Sequence, residues 1–375
     1  MSLHVQTKHA ATLRAQSLSE LSTQLQGYAG HLVLLVDDMG DPSWSRKRGH
    51  LGAPLSFAHA CAYATRDDAF DDCNHIVGQA TVIAIAKVAF AALEREHLQD
   101  MLPSVQCLTL CCATQQSSWV LPVIHSALRH IVVLGEKLVE VPFCVEPEQC
   151  SQLWSLSLQR CSSLTGLPMS MGQLAALTML DLSECSSLPG LPESMGQLAA
   201  LRTLNLGACG SLTGLPESMG QLTALTTLKL THCRSLTGLP ESVGQLTALT
   251  TLYLRYCESL TGLPESMGKL AALTTLNLSG SFVSLSSMKL AALPESMGQL
   301  AALATLNLSY CRSLTGLPES MGQLAALTTL YLRDCGSLTG LPESMGQLAA
   351  LTTLTLSVCG SLTGLPESMG QLAAL

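Results

Sequence analysis

The sequence predicts an α/β solenoid. Parallel strands should line a concave face, short helical or 3-10 turns should form the convex side, and an α-rich N-terminal region should cap one end. Three observations carry this expectation. A Leu-Pro pair followed by Ser and Gly recurs, with its proline at Pro168, Pro192, Pro216, Pro240, Pro264, Pro294, Pro318, Pro342 and Pro366. The step is 24 residues throughout, except for one of 30 from Pro264 to Pro294. Within each step the apolar spacing changes from two residues to three and four, the change from a strand to a helical turn.

One unit shows the local reasoning. Its apolar positions are Leu177, Leu180, Leu182, Cys185, Leu188, Leu191, Met195 and Leu198. Leu180-x-Leu182 has period two, so it reads as a short strand with its leucines inward and Asp181 outward. Leu191, Met195 and Leu198 lie four and three apart, on one face of a helical turn. Pro192 opens that turn, because its missing N–H would be an unpaired donor there anyway. Glu193 sits in the first turn, where a negative charge is favoured, and Gly196 is expected to end or tighten it. One unit cannot bury its own leucines, so the units must stack. The pattern L-x-x-L-x-L-x-x-C-x-x-L is the leucine-rich-repeat signature, with Cys in the slot that takes Asn or Cys.

Two weaker units precede the clean array. "LPSVQCLTLCCA" puts Leu102, Val105, Leu108 and Leu110 on the template, with Ala113 in the Cys slot. "LRHIVVLGEKLVEVP" puts Leu128, Ile131, Val133, Leu138, Val141 and Pro142 on it, one residue short. Residues 1–100 are therefore read as an N-terminal region with a capping helix at about 80–98, and residues 101–375 as a solenoid of about eleven repeats. "IVGQATVIAIAKVAFAAL", Ile76–Leu93, has barely the length of a bilayer span, and Lys87 in its middle favours a buried or amphipathic helix. No membrane association is expected. Leu375 stops part-way through a repeat without a polar cap, which predicts a truncated reading of the gene or self-association through that end.

Composition bounds the function. Hydrophobic residues are 47% but aromatics only 4%, so the core is built from Leu, Ala and Met. The net charge is −8 and no basic stretch exceeds Arg46-Lys47-Arg48, which excludes nucleic acid as the expected partner. No contiguous apolar stretch at the N-terminus marks a secretory signal. Eight of the fifteen cysteines share one slot: Cys161, Cys185, Cys209, Cys233, Cys257, Cys311, Cys335 and Cys359. They lack the paired spacing of a metal site and read as a buried ladder of small thiols, which favours a reducing compartment and a cytoplasmic location. Cys73 and His75 have no partner cluster. The sequence holds no G-x-x-x-x-G-K-[ST], G-x-S-x-G or H-E-x-x-H, so no cofactor, metal or catalytic residue is expected. The eight LPE glutamates, Glu193 and its equivalents, read as a solvated convex stripe.

"LTTLYLRDCGSLTGLPESMGQL", Leu327–Leu348, resembles the repeats of plant nucleotide-binding leucine-rich-repeat disease-resistance proteins. The resemblance covers roughly Leu102 to Leu375. Its Cys slot and L-T-G-L-P favour the intracellular type over secreted receptors, which carry Asn and L-x-G-x-I-P. It implies recognition or scaffolding as the role. "HLVLLVDDMGD", His31–Asp41, resembles the second nucleotide-site motif of those proteins, and "ATRD", Ala64–Asp67, the Thr-Thr-Arg motif after it. The phosphate loop that would give Asp37 and Asp38 a substrate is missing.

Repeats within one chain can be compared with each other. LPESMGQLAALTTL hardly changes, whereas the outward strand positions do. The slot of Asp181 carries Asn205, Lys229, Tyr253, Asn277, Asn307, Tyr331 and Thr355 in later units. The slot of Glu184 carries Ala208, His232, Tyr256, Gly280, Tyr310, Asp334 and Val358. Four of the six tyrosines are among them, joined by Arg255 and Arg333, and Tyr and Arg are enriched where proteins bind proteins. Lys229, His232, Tyr253, Arg255 and Tyr256 form one candidate cluster, and Tyr310, Tyr331, Arg333 and Asp334 a second. The expected function is non-catalytic binding of another protein through the concave strands, with a resistance-like role as context. The alternatives are a degenerate nucleotide-binding immune-receptor fragment and a substrate adaptor of a ubiquitin ligase.

Overall fold

A computed structural model describes residues 10–12, 31–37, 83–89, 107–112, 129–134, 139, 152–282, 288–372 and 374–375. The chain forms two compact units, Met1–Cys161 and Ser162–Leu375. The solenoid was expected to begin near residue 101, well before this division. The degenerate repeats and the first rung of the clean array, Ser155–Ser157 with Cys161, fall in the first unit, and the rest of the array in the second.

The first unit contains six described strands: β1 (Ala10–Thr12), β2 (His31–Asp37), β3 (Ile83–Ala89), β4 (Cys107–Cys112), β5 (His130–Leu134) and β6 (Ser155–Ser157). They pair in parallel in the order β1-β3-β2-β4-β5-β6. Two expectations meet the structure here. The Leu108-x-Leu110 and Ile131-x-Val133 pairs lie in β4 and β5, as the repeat template requires, and Ile131 and Val133 are fully buried. The expected capping helix is corrected. Ile83–Ala89 is a strand, paired along its whole length with His31–Asp37. Ile83, Ile85 and Val88 are β-branched, and strand pairing with β2 and, at Ile83–Ile85, with β1 outweighs the helical preference of the alanines between them. The rest of that helix, residues 80–82 and 90–98, lies outside the described residues. So do Leu102, Val105, Ala113, Leu128, Leu138, Val141 and Pro142 of the degenerate templates.

The second unit is a leucine-rich-repeat solenoid. Eight strands follow one another in chain order: β7 (Met179–Asp181), β8 (Thr203–Asn205), β9 (Thr227–Lys229), β10 (Thr251–Tyr253), β11 (Thr275–Asn277), β12 (Thr305–Asn307), β13 (Thr329–Tyr331) and β14 (Thr353–Thr355). All neighbours are parallel and in register, Leu204 against Leu228, Leu228 against Leu252, and so on. Thr275 pairs with Thr305, so the six extra residues of the long unit leave the strand register intact. The central leucines from Leu180 to Leu330 are fully buried, as are Leu182, Cys185, Leu188, Met195 and Leu198. Each buried leucine contributes roughly 1.5–3 kcal/mol.

The turns are 3-10 helices of five residues, such as Glu193–Gln197. Pro192 precedes the turn in an extended conformation, φ −70° and ψ 151°, and its carbonyl accepts the Met195 N–H at 3.0 Å. Proline thus sets the approach to the turn from just outside it. Gly196 does not end the turn; it lies inside it. Glycine is required there because the next turn packs against the bare Cα. At the equivalent Gly220, a Cβ would lie 2.7 Å from the Ser242 carbonyl oxygen. The glutamates are also more than a solvated stripe. Glu193 Oε2 accepts the Ser218 N–H of the next turn at 3.1 Å, and Glu217, Glu241 and Glu265 repeat the bond to Ser242, Ser266 and Ser296.

Two glycines of one repeat test this account. Gly220→Ala forces backbone apart and is expected to cost about 1–3 kcal/mol. Gly214→Ala enters open space and is expected to be neutral or stabilising by up to about 1 kcal/mol. Chemical denaturation of both variants checks the contrast.

Candidate protein-binding face

The core behind the sheet fixes what the face can present. The thiols donate hydrogen bonds to the strand before them. Cys209 Sγ lies 3.2 Å from the Leu182 oxygen, Cys233 3.1 Å from Leu206, and Cys257 3.1 Å from Leu230. Burial pushes the Cys257 and Cys335 thiols up to about 12, with an opposing hydrogen bond from the backbone. They stay protonated, as hydrogen-bond donation requires. None of the eight slot cysteines is in a disulfide, and all but Cys359 are buried.

The outward strand slot divides into two kinds of residue. Asp181, Asn205, Asn277 and Asn307 turn back on the chain, each accepting the N–H two residues on, at 2.8–3.0 Å. Asp181 is fully buried by this. They pin the strand exit with that oxygen. Lys229, Tyr253 and Tyr331 occupy the same slot with side chains that carry no acceptor there. Tyr253 stands beside Lys229 on the next rung, and beside Asn277 on the other side.

The slot of Glu184 is a left-handed corner. Arg160, Glu184, Ala208, His232, Tyr256, Tyr310, Asp334 and Val358 all have φ between 56° and 64°. This conformation disfavours side chains by about 1–2 kcal/mol per residue, and bulky ones are unusual in it. Gly280, in the same slot, does not adopt it; a Cβ there would meet the Tyr310 carbonyl. The corner aims His232 and Tyr256 at each other. Their rings stack at 4.3 Å with a 25° tilt. Arg255 Cζ lies 5.0 Å from the Tyr256 ring centre, and its Nη2 donates to Tyr256 Oη at 3.0 Å. Arg255 Nε is enclosed without a partner. Burial, then Arg234 and Arg255, hold the His232 imidazole below its ordinary range against a smaller opposing effect of Glu258.

The second cluster is looser. Arg333 Cζ lies 5.9 Å from the Tyr310 ring, whose other neighbour is the edge-on Phe282 at 5.9 Å. Asp334 is held by Arg312 at 2.8 Å, which raises the arginine further through the hydrogen bond. Arg234 likewise lies 3.9 Å from Glu258. Sequence reading missed Phe282, Arg312, Arg234 and Glu258. The two arginines and Glu258 follow the Cys slot directly, so comparing that column across repeats would have found them. Phe282 lies in the irregular unit, which has no column.

Among the described residues, no group of three His, Cys, Asp or Glu is placed to hold a metal ion. No described helix is long and apolar enough to cross a membrane. Asp37 ends β2, and Asp38, Ala64–Asp67, Arg46–Arg48, Cys73 and His75 lie outside the described residues.

Residues 193–281 match the family described as leucine-rich repeat region. No curated protein matches the sequence. Among solved structures, the chain is similar to one in the Toll–Spätzle complex of Drosophila, at 17% identity and a TM-score of 0.58. That match covers 93% of this chain and 46% of the other, so the chain spans just under half of its length. The leucine-rich repeat domain of the type III effector XopL matches at 21% identity and a TM-score of 0.47, over 96% of this chain and 94% of that one. The functional domain of InlJ from Listeria monocytogenes, which includes a cysteine ladder, matches at 18% and 0.46, over 73% and 58%. The fold is that of leucine-rich-repeat proteins.

The His232 titration follows from the cluster. Its folded value lies below the unfolded one, so any stability it confers is complete above the unfolded value and is lost as pH falls from there through the folded value. An NMR titration of His232 should give a midpoint below 6.5, and Arg255→Gln should raise it.

Proposed function

We propose that this protein is a non-catalytic recognition or scaffold protein that binds another protein through the outward side of its strand stack. The observation that carries this reading is the use of slots with a structural alternative. Asn caps the strand exit at Asn205, Asn277 and Asn307, yet Lys229, Tyr253 and Tyr331 forgo that bond. Large rings at Tyr256 and Tyr310 accept a left-handed backbone that glycine would take without strain. Side chains kept at a cost to the fold, and chemically suited to interfaces, point to a partner. The sheet side is also the usual binding surface of solenoids. The ladder of protonated, free thiols fits a cytoplasmic setting, and the repeat resemblance supplies a resistance-like context.

A photo-crosslinking amino acid placed at Tyr253 should capture a discrete partner from native extract, and one placed at the turn residue Gln245 should not. The Tyr253→Ala, Arg255→Ala, Tyr256→Ala variant should lose that partner by about tenfold or more in affinity. Equal capture from both positions, or unchanged binding by the triple variant, contradicts the reading.

A further inference from the structure

We infer that the partner presents an extended acidic segment, laid across β10 to β13 with two carboxylates four residues apart. The inference rests on the protein-binding reading above and specifies its ligand.

The protein carries a net charge of −8, but that charge is not spread evenly. The LPE glutamates sit on the turns and bond the neighbouring turn. From β9 to Asp334, the strand and strand-exit residues instead carry Lys229, Arg234, Arg255, Arg312 and Arg333 against Glu258 and Asp334. Both acids are already held, Glu258 by Arg234 and Asp334 by Arg312. Arg255 and Arg333 have no carboxylate partner among the described residues. Each instead lies near a ring, Tyr256 or Tyr310; Arg255 spends one Nη2 donor on Tyr256 Oη and keeps Nη1 for a ligand, while Arg333 is exposed with its donors toward solvent. A planar fork fixed in this way is suited to bidentate carboxylate recognition.

Geometry sets the spacing. Arg255 follows β10 and Arg333 follows β13, in the same slot of their repeats and three strands apart. Three inter-strand steps span about 14 Å, which matches about four residues of extended chain. Residues four apart in an extended chain point the same way, so both carboxylates face the sheet. Between the arginines their own slot carries serine, Ser279 and Ser309. The intervening rungs carry Ser279 with Gly280 and Ser309 with Tyr310, and of the three peptide residues between the acids the middle one faces the sheet between these two rungs.

Four capped synthetic peptides of matched length, in a Gly/Ser/Thr background, test this by fluorescence anisotropy. Three carry two Asp residues three, four or five positions apart, and the fourth carries Lys at the four-residue spacing. The four-spaced acidic peptide should bind at least about fivefold more tightly than the other two acidic ones, and the Lys peptide should not bind. Arg255→Gln and Arg333→Gln should each weaken that peptide by about tenfold, whereas Arg202→Gln, on an exposed cation outside the stretch, should not. Arg333 is exposed, so its variant separates lost binding from lost folding. Equal binding at all spacings, or no effect of Arg333→Gln, overturns the inference. The crosslinking result at Tyr253 stands apart from these outcomes, so an acidic-segment failure is distinguishable from a failure of the protein-binding reading.

Discussion

Every repeat in the second unit completes the hydrogen bonding of its neighbour, and this constraint governs the sequence. The Thr237 hydroxyl donates to the Thr213 carbonyl, 24 residues earlier, and Thr261 to Thr237 in turn. Thr250 does the same to Thr226, and Thr274 to Thr250, on a second line. The Cys thiols form a third line and the Glu carboxylates a fourth. Each line works only if donor and acceptor recur at one period. A change of residue type in one repeat leaves a group unpaired in the next, at about 1–3 kcal/mol when buried. Near-identity of LPESMGQL is therefore what stacking demands, and the in-turn glycine adds a steric demand to it.

Such a scaffold leaves few positions at which sequence is free. Side chains on the sheet side belong to none of these four lines, and they vary. The structure shows that this freedom is itself graded. Asn205 and Asn307 are variable in sequence terms but accept the backbone N–H at the strand exit, a bond that Tyr253 in the same slot cannot make. The left-handed corner turns variable residues into ring stacks and into platforms for arginine.

Much of this was legible in the letters. The buried set Leu177, Leu180, Leu182, Cys185, Leu188, Met195 and Leu198 follows from spacing alone, because burial depends on periodicity. The role of Gly196 was not legible, since a close approach between turns is a property of two repeats together. Nor was the left-handed backbone at His232 and Tyr256, where the residues are those that usually avoid it. Ile83–Ala89 failed for a different reason. An alanine-rich apolar run has the composition of a helix, and only its strand partners decide otherwise. The ion pair between Arg312 and Asp334 was not legible either, since it joins two columns of different repeats.

The central claim is that Lys229, Tyr253 and Tyr331 serve a partner and not the fold. The most direct measurement is the unfolding free energy of a variant carrying Lys229→Asn, Tyr253→Asn and Tyr331→Asn. Asparagine in this slot regains the strand-exit bond seen at Asn205, worth about 0.5–1.5 kcal/mol per position. The account predicts that the variant is as stable as the parent or more so. A clear loss of stability would show that these side chains are there to hold the solenoid together.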